Sequence, residues 1–293
     1  MKRLFTMLLV LCTLSVSRAQ VEDRFSFLTE AEMTNYARPL VTALGSAMNT
    51  GGFATPSIGT MFGFDFTIKG MMIMIPDDQK TFTPDLPSGY QSKPTSTVFG
   101  DEGAYYSGPN GYIVYPAGIN LSNLPFAFPQ LSASFMGAEV MIRMIPSIPV
   151  GDEKVNLFGF GLRYDVSNHI PMLPIDVSVG FMYNTFAVTN YVDNKNFAVN
   201  VIASWSPPAT NIVSFYGGLQ YENSKMKLTY TYKDPNATII GQQLTKKIDL
   251  DITGDNNFRA TIGAGLSLGF FGLNVDYNIG ALSVLTAGLS FGI

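Results

Sequence analysis

The sequence has one cysteine, one histidine and few charged residues for a chain of 293 residues. Cys12 and His169 leave a transition-metal site almost no ligands of the usual cysteine and histidine type. Serine hydrolase chemistry would place His169 beside a nucleophile and an orienting group, but this histidine lies in a short segment bounded by Pro171 and Pro174. We therefore predict no enzyme activity, no metal and no cofactor.

The first 19 residues have the three parts of a secretory signal peptide. Lys2 and Arg3 precede the apolar residues 4–14, and small residues precede Gln20. We expect residues 1–19 to be removed on export. Their loss leaves 15 basic against 22 acidic residues, so the net charge changes from −4 to −7. Because no basic cluster is present, we expect no nucleic-acid partner.

Long apolar runs are also missing after the signal peptide. Mean hydropathy is +0.19 and only 14% of the residues are charged, yet no later run of 18 or more apolar residues could form a membrane-spanning helix. Instead the apolar residues alternate. Residues 258–271 (FRATIGAGLSLGFF) are apolar at every even position up to 270 and mostly polar or glycine between. This period of two predicts a strand with one apolar and one polar face.

Other segments alternate in the same way and carry their charges on the polar face. Two kinds of β protein have this pattern, and the composition of the polar face distinguishes them. A soluble sandwich would turn a polar face rich in Lys and Glu to water. Mixed charge signs, many glycines and a low charge content favour a transmembrane antiparallel β-barrel, with its apolar face in lipid and its polar face in the lumen. The predicted lumen-lining residues are Asp65, Lys69, Glu139, Arg143, Arg163, Asp165, Asp176, Glu222, Arg259 and Asp276.

The alternating segments number nine or eleven, depending on how two long ones are counted. Bacterial single-chain barrels have even numbers of strands, so we predict ten, with twelve as the alternative. Residues 76–129 are rich in proline and glycine and are predicted to be a mainly irregular insertion that contains the missing strand. The apolar phase flips at residues 222–225, which predicts a bulge or turn there. It persists from 248 to 270, which predicts one long strand.

Residues 20–57 do not alternate and are predicted to be a separate helical segment ahead of the barrel of residues 58–293. Apolar residues recur at helical spacing from Met33 to Ala47, and Thr29 or Glu30 could begin the helix. Pro39 would kink or divide it. The helix could pack on the outside of a domain or plug the lumen, and we predict that it is a plug.

Two segments carry a resemblance to known proteins: residues 128–183, which begin FPQLSASFMGAEV, and YGGLQYENSKMKLTYTY at residues 216–232. With the helical segment and the final strands, they resemble an uncharacterised family of outer-membrane β-barrels from Bacteroidetes-type bacteria, over residues 30 to the end. More loosely, the chain is similar to the FadL-type porins for hydrophobic compounds. The resemblance implies an outer-membrane location.

Together these features lead to two hypotheses about function. The first is passive uptake of a small, hydrophobic compound, with the outer-membrane bilayer and that solute as partners. The second is a non-transporting structural or assembly component of the outer membrane. Uptake predicts a narrow path lined by the charged residues, whereas the structural role predicts a closed interior in which they pair with one another. The oligomeric state is left open.

Overall fold

A computed structural model describes residues 28–52, 58, 61–150, 153–170, 174–207, 212–239 and 242–292. The predicted signal peptide, residues 1–19, lies outside the described residues. One α-helix and fifteen strands are present in the described part of the chain. Their bounds are α1 (Glu30–Asn49), β1 (Gly63–Met74), β2 (Thr81–Phe82), β3 (Thr95–Ser96), β4 (Tyr105–Gly108), β5 (Gly111–Val114), β6 (Asn123–Phe135), β7 (Ala138–Val150), β8 (Glu153–Asp165), β9 (Asp176–Val188), β10 (Val192–Trp205), β11 (Val213–Ile239), β12 (Gln242–Thr253), β13 (Phe258–Leu268), β14 (Phe271–Ile279) and β15 (Ser283–Gly292).

Ten of these strands form a closed antiparallel barrel. β1 pairs with β15 on one side and with β6 on the other, and pairing between β10 and β11 closes the ring. β12 pairs only with the distal part of β11, outside the ring. The prediction of a ten-stranded antiparallel barrel with a helix near the N-terminus is thus confirmed.

The two ends of the barrel differ. β1 begins and β15 ends at one end, here called the terminal end, where Asp65 pairs with Gly292. The opposite end, here called the insert end, carries residues 75–122 (the insert) and a protruding pair made of β11 residues 222–239 and β12 (the long hairpin). The insert holds two small two-stranded sheets, β2–β3 and β4–β5.

The missing strand lies at the end of the proline-rich region. β6 begins at Asn123, so irregular structure and short strands stop at residue 122 rather than 129. Proline discouraged a strand prediction there, because it cannot donate to a sheet ladder. Pro125 and Pro129 are nevertheless in β6, and the reason lies in its pairing with β7, described below.

Apolar side chains cover the outside of the barrel wall. Ile142 (42% exposed), Leu219 (63%) and Ile262 (66%) are typical, and polar neighbours such as Arg143 and Gln220 are buried. Exposed aromatic residues gather near both ends of this apolar belt. At the terminal end they are Phe62, Phe135, Trp205, Phe215, Phe270 and Phe271, and toward the insert end Tyr183, Tyr221, Phe258 and Tyr277.

The long hairpin reverses this arrangement. Beyond Tyr221, the outward positions of β11 include Lys225 and Lys227, and the inward positions include Met226. The β10–β11 register runs through residues 222–225 without a shift, so the predicted bulge or turn there is wrong. The apolar phase flips because both environments change: the outside passes from the apolar belt to polar surface, and the inside from polar lumen to apolar core.

In the chain segment that pairs with β11, a break is present where a continuous strand was predicted. Tyr221 pairs with Phe258, but Lys225 pairs with Thr253, so residues 254–257 contain one residue more than the segment they face. The predicted single strand from 248 to 270 is therefore broken into β12 and β13. The extra residue turns the even positions from inward in β12 to outward in β13. Asp249 and Asp251 are exposed on the hairpin, so their polar face does not point into a lumen.

Helix α1 begins with a capping box. Thr29 and Glu32 bond reciprocally across the first turn, which satisfies backbone donors that a helix start leaves free. Pro39 lies inside the helix, which continues unbroken to Asn49, so the proline does not divide it. Residues 41–50 are all buried.

The hydrophobic core lies in the insert-end half of the lumen and just above it. Apolar residues of α1, including Val41, Leu44 and Met48, pack there with inward residues of the barrel, the long hairpin and the insert. The terminal-end half of the lumen is polar instead. The inward-facing surface is thus divided into an apolar layer and a polar layer.

Candidate functional site: the barrel lumen

The ten charged residues predicted for a lumen occupy inward positions of their strands. Asp65 and Asp176, both near the terminal end, are half-buried. The other eight are buried: Lys69, Glu139, Arg143, Arg163, Asp165, Glu222, Arg259 and Asp276. That they line a transport path stays a prediction.

Arg143 joins the barrel wall to the end of α1. Its side chain is fully buried and donates to the Met48 carbonyl oxygen at 2.8 Å and the Thr50 carbonyl oxygen at 3.0 Å. Its Nε donates to Gln130 Oε1 at 2.9 Å. The last carbonyls of a helix lack intrahelical partners and carry partial negative charge, so a guanidinium is a favourable partner for them.

Two other arginines pair with glutamates across neighbouring strands. Arg163 forms an ion pair with Glu139, and both side chains are almost fully buried. Arg259 Nη2 lies 2.8 Å from Glu222 Oε1, and its Nε donates to Glu222 Oε2 at 3.1 Å. Such a pair in a water-poor interior is costly to break, because the remaining charge would be left uncompensated.

Lys69 and Asp276 belong to a third group. Lys69 Nζ donates to Asn274 Oδ1 at 3.0 Å, and the Asn274 amide donates to Asp276 Oδ2 at 3.2 Å. The Tyr216 hydroxyl and the Asn278 amide also donate to the Asp276 carboxylate, at 3.0 and 2.6 Å. Asp165 stands apart and accepts from Ser167 at the terminal end.

Sequence reasoning from charge missed the neutral polar residues of these networks. Gln130, Gln220, Asn256, Asn274 and Asn278 bond to the charged groups or to α1. The sequence nevertheless indicates the position of several of them. Asn274 and Asn278 lie two residues from Asp276, and Gln220 lies two residues before Glu222, so each shares a strand face with a predicted lumen residue. Inward positions could have been selected by alternation, whatever their charge.

The lumen networks leave a small cavity beside the last turn of α1. Its volume is about 40 Å³, and it is bordered by Asn49, Gly52, Asn200 and Tyr216 among others. A cavity that holds one water needs a volume of roughly 10–15 Å³, so this cavity has room for a few waters. The amide oxygens of Asn49 and Asn200 have no hydrogen-bond partner in the described part of the chain.

The barrel wall is incompletely paired between β6 and β7. These strands pair only from Gln130 with Arg143 to Phe135 with Ala138. Above that point, residues 123–129 of β6 pair with β1 alone, and residues 144–145 and 148–150 of β7 pair only with β8. We call this unpaired stretch the seam. It lies in the insert-end half of the wall.

Prolines explain why the seam does not close. An antiparallel strand directs its donors alternately to its two neighbours, and β6 keeps a continuous ladder with β1 through Pro125 and Pro129. The donors missing at these prolines are therefore those that would point toward β7. On the other side, Pro146 lies in an irregularity of β7 and Pro149 follows it.

Apolar side chains pack against the inner side of the seam. Phe126 and Phe128 are buried, and their rings pack edge to face with centroids 5.8 Å apart. The Arg143 guanidinium lies over the Phe128 ring at 4.4 Å, at the boundary with the polar layer. Leu157 and Met48 belong to the same cluster, and Ile145 packs against it. The inner side of the seam is thus an apolar wall.

Other kinds of site find little support in the described residues. They contain no group of three or more His, Cys, Asp or Glu side chains that could hold a metal ion. His169 lies at the terminal end, where its ring stacks on Tyr164 at 5.7 Å and bonds to the tyrosine hydroxyl. No helix in the described ranges is both long and apolar enough to cross a membrane.

Comparison with known proteins assigns the chain to a family. It belongs to the family of unknown function DUF6588, whose model matches residues 1–293. No curated protein matches the chain. The family match supports the resemblance to an uncharacterised family, whereas similarity to FadL-type porins stays a prediction.

Among solved structures, three barrels illustrate the similarity. The attachment invasion locus protein Ail of Yersinia pestis has 11% identity and a TM-score of 0.30, covering 80% of this chain and 100% of Ail. The translocator domain of autotransporter NalP from Neisseria meningitidis has 11% identity and a TM-score of 0.30, covering 85% and 92%. The outer membrane channel DcaP of Acinetobacter baumannii has 10% identity and a TM-score of 0.21, covering 83% and 99%. These values carry no function to this chain.

Proposed function

We propose that this member of the DUF6588 family is an outer-membrane β-barrel that admits a small, hydrophobic compound through the seam between β6 and β7. The membrane location rests on the wall itself. An outward apolar band flanked by exposed aromatic residues is typical of transmembrane barrels, and side chains such as Leu219 and Ile262 are more than 60% exposed on it.

The seam is the observation that carries the proposal. It lies beside Ile68 and Met72, exposed apolar residues of β1, and so within the band that would face lipid. An unpaired backbone donor in lipid costs several kcal/mol. Prolines at 125 and 129 remove two such donors, so the wall can stay unpaired there at a lower cost.

The lumen favours a lateral route over an axial one. The polar part of the lumen, up to the junction with the long hairpin, is occupied by ion pairs and amide networks, and Arg143 binds the end of α1. A hydrophobic solute would gain nothing by displacing those groups. Behind the seam, by contrast, Phe126, Phe128 and Leu157 offer an apolar surface of the same character as the solute.

The proposal is tested by restoring donors to the seam. The double variant Pro125→Val/Pro129→Val should let β6 form backbone hydrogen bonds with β7 along the seam. Entry of a fluorescent naphthylamine dye into intact cells should then fall toward that of cells without the protein. Pro87→Val, which changes an exposed proline of the insert, is the matched control. Unchanged dye entry in the double variant, with β6–β7 pairing shown by amide protection, would refute the lateral route.

A second candidate is the non-transporting structural role, and the paired charges favour it. Glu139 pairs with Arg163 and Glu222 pairs with Arg259, as this hypothesis expects of the charged residues in a closed interior. If cells with and without the wild-type protein take up the dye equally, while loss of the protein weakens the outer membrane to detergent, this role replaces uptake.

A further inference from the structure

We infer that the chain is threaded through its own barrel, so that the amino end of α1 is presented at the cell surface while β1 begins at the periplasmic end. The inference rests on the proposed outer-membrane location but not on uptake. It concerns the direction of the chain, which neither function hypothesis requires.

The two ends of the segment lie at opposite ends of the barrel. Gly63 starts β1 at the terminal end, two residues before Asp65 pairs with Gly292. Leu28 lies at the insert end, where its carbonyl oxygen accepts from the Tyr230 hydroxyl of the long hairpin at 3.3 Å. The chain between Leu28 and Gly63 must therefore pass from one end of the barrel to the other.

The insert holds the amino-terminal half of α1 beyond the insert end of the barrel. The Val98 amide donates to the Tyr36 carbonyl oxygen at 3.1 Å, and the Tyr36 hydroxyl donates to the Ala117 carbonyl oxygen at 2.9 Å. The Tyr115 hydroxyl donates to the Glu32 carboxylate. Burial first and this carboxylate second raise the pKa of Tyr115 above its usual range, so the phenol stays protonated and keeps its donor.

Contacts farther along the helix descend into the lumen. The Asp255 amide donates to Thr42 Oγ1 at 3.0 Å at the junction between hairpin and barrel. Gly45 follows: a methyl group there would lie 1.8 Å from Ser224 Oγ, so only glycine fits without a shift. Next come the bonds from Arg143 to Met48 and Thr50.

The last contacts of the segment lie deepest. Gln220 Nε2 donates to the Asn49 carbonyl oxygen at 3.0 Å, and Gln130 Nε2 donates to the Gly52 carbonyl oxygen at 2.7 Å. These partners belong to the polar layer of the lumen. The order of contacts matches the order of the residues, so the segment runs through the lumen rather than around the wall.

Loop length gives the direction relative to the cell. Transmembrane barrels have short periplasmic turns and longer extracellular loops. The insert spans residues 75–122 and the long hairpin adds two further stretches of strand, whereas the four terminal-end connections between strands, residues 136–137, 166–175, 206–212 and 269–270, have ten residues or fewer. The outward side chains of the hairpin, among them Lys225, Lys227 and Asp251, are exposed and suit water. The insert end therefore faces the outside.

Cysteine accessibility tests this direction, because Cys12 is the only native cysteine and can be changed to alanine. The variants Ala31→Cys in α1, Glu102→Cys in the insert and Ser206→Cys at the terminal end each place a cysteine at an exposed position. Intact cells would be treated with a membrane-impermeant maleimide, then compared with cells whose outer membrane has been permeabilised. Heat-modifiable migration on gels would confirm that each variant is folded.

We expect Ala31→Cys and Glu102→Cys to be labelled equally in intact cells, and labelling of Ser206→Cys to be lost unless the membrane is permeabilised. Protection of Ala31→Cys together with Ser206→Cys would overturn threading. Protection of Ala31→Cys and Glu102→Cys, with Ser206→Cys labelled, would overturn the surface orientation. Recovery of the protein in the soluble fraction would overturn the outer-membrane location, and this inference with it. Loss of dye uptake without a change in labelling leaves the inference standing.

Discussion

The barrel wall and the long hairpin share one continuous strand, β11, but they expose opposite kinds of side chain. In the wall, Leu219 points outward and Gln220 inward, and in the hairpin, Lys227 points outward and Met226 inward. The strand geometry is the same in both, because its register with β10 never shifts between them. The difference therefore depends on the surroundings. In the proposed membrane location, the wall lies between lipid and a polar lumen, and the hairpin lies between water and an apolar helix.

The largest effect that this comparison predicts is at the junction of the two regions. Glu222 accepts from Arg259, Gln220 and Asn256 and is fully buried. Glu222→Ala should lower the free energy of unfolding by about 3–5 kcal/mol, because it leaves the buried Arg259 charge uncompensated. Urea unfolding in lipid vesicles, followed by heat-modifiable gel migration, measures this. Adding Arg259→Met should recover much of the loss, and a single variant as stable as wild type would show that the junction is wet.

The next effect separates the outward faces of the two regions. Leu219→Arg places a charge in the apolar belt and should cost roughly 2–4 kcal/mol if the site lies near the bilayer midplane. Thr229→Arg, on the same strand face of the hairpin, should change stability by no more than about 0.5 kcal/mol, as surface substitutions usually do. The same unfolding assay applies. Equal losses from both would mean that the hairpin is also in lipid.

A smaller effect concerns the fit of α1 against the junction. Gly45→Ala should destabilise the protein by about 1–3 kcal/mol, since overpacking strains a filled interior and the new methyl group would meet Ser224. Ser224→Gly in the same chain should recover part of this loss, because it removes the clash with Ser224 but leaves Asn256 Nδ2 at 2.8 Å from the methyl group. If Gly45→Ala by itself leaves the midpoint of thermal unfolding unchanged, α1 does not pack against the wall as described.

The smallest effect is expected on the outer face of the hairpin. Asp249 accepts from the Thr229 hydroxyl at 2.7 Å in an exposed position. Asp249→Ala should shift the free energy of unfolding by about 0.5 kcal/mol or less, because water replaces the lost bond. A loss comparable with that of Glu222→Ala would place this face against another part of the molecule.

Sequence alternation predicted the barrel, because strand geometry alone fixes which side chains share a face. It failed at the junction for the same reason. Alternation records changes of polarity, and at residues 222–225 the polarity changed while the geometry did not. At residues 254–257 an extra residue and a change of surroundings cancelled in the pattern, so two strands looked like one.

The hydrogen-bond and ion-pair partners within the lumen could not be predicted from the sequence, because they depend on the register between neighbouring strands. Arg259 and Glu222 lie on different strands, and nothing in either segment specifies that they pair. β6 was hidden by its own prolines, which fit within the strand because their missing donors would point toward β7 and not toward β1. The feature that carries the proposed function therefore obscured the strand that contains it.

The change of surroundings along β11 can be measured directly by fluorescence quenching. Single cysteines at residues 219, 220, 226 and 227 would carry a small fluorophore, in vesicles that contain lipids with a quencher on the acyl chain. We predict strong quenching at residue 219 alone, because residues 220 and 226 point inward and residue 227 lies in water. Quenching at residue 227 equal to that at residue 219, or none at residue 219, would contradict the division of β11 between membrane and water.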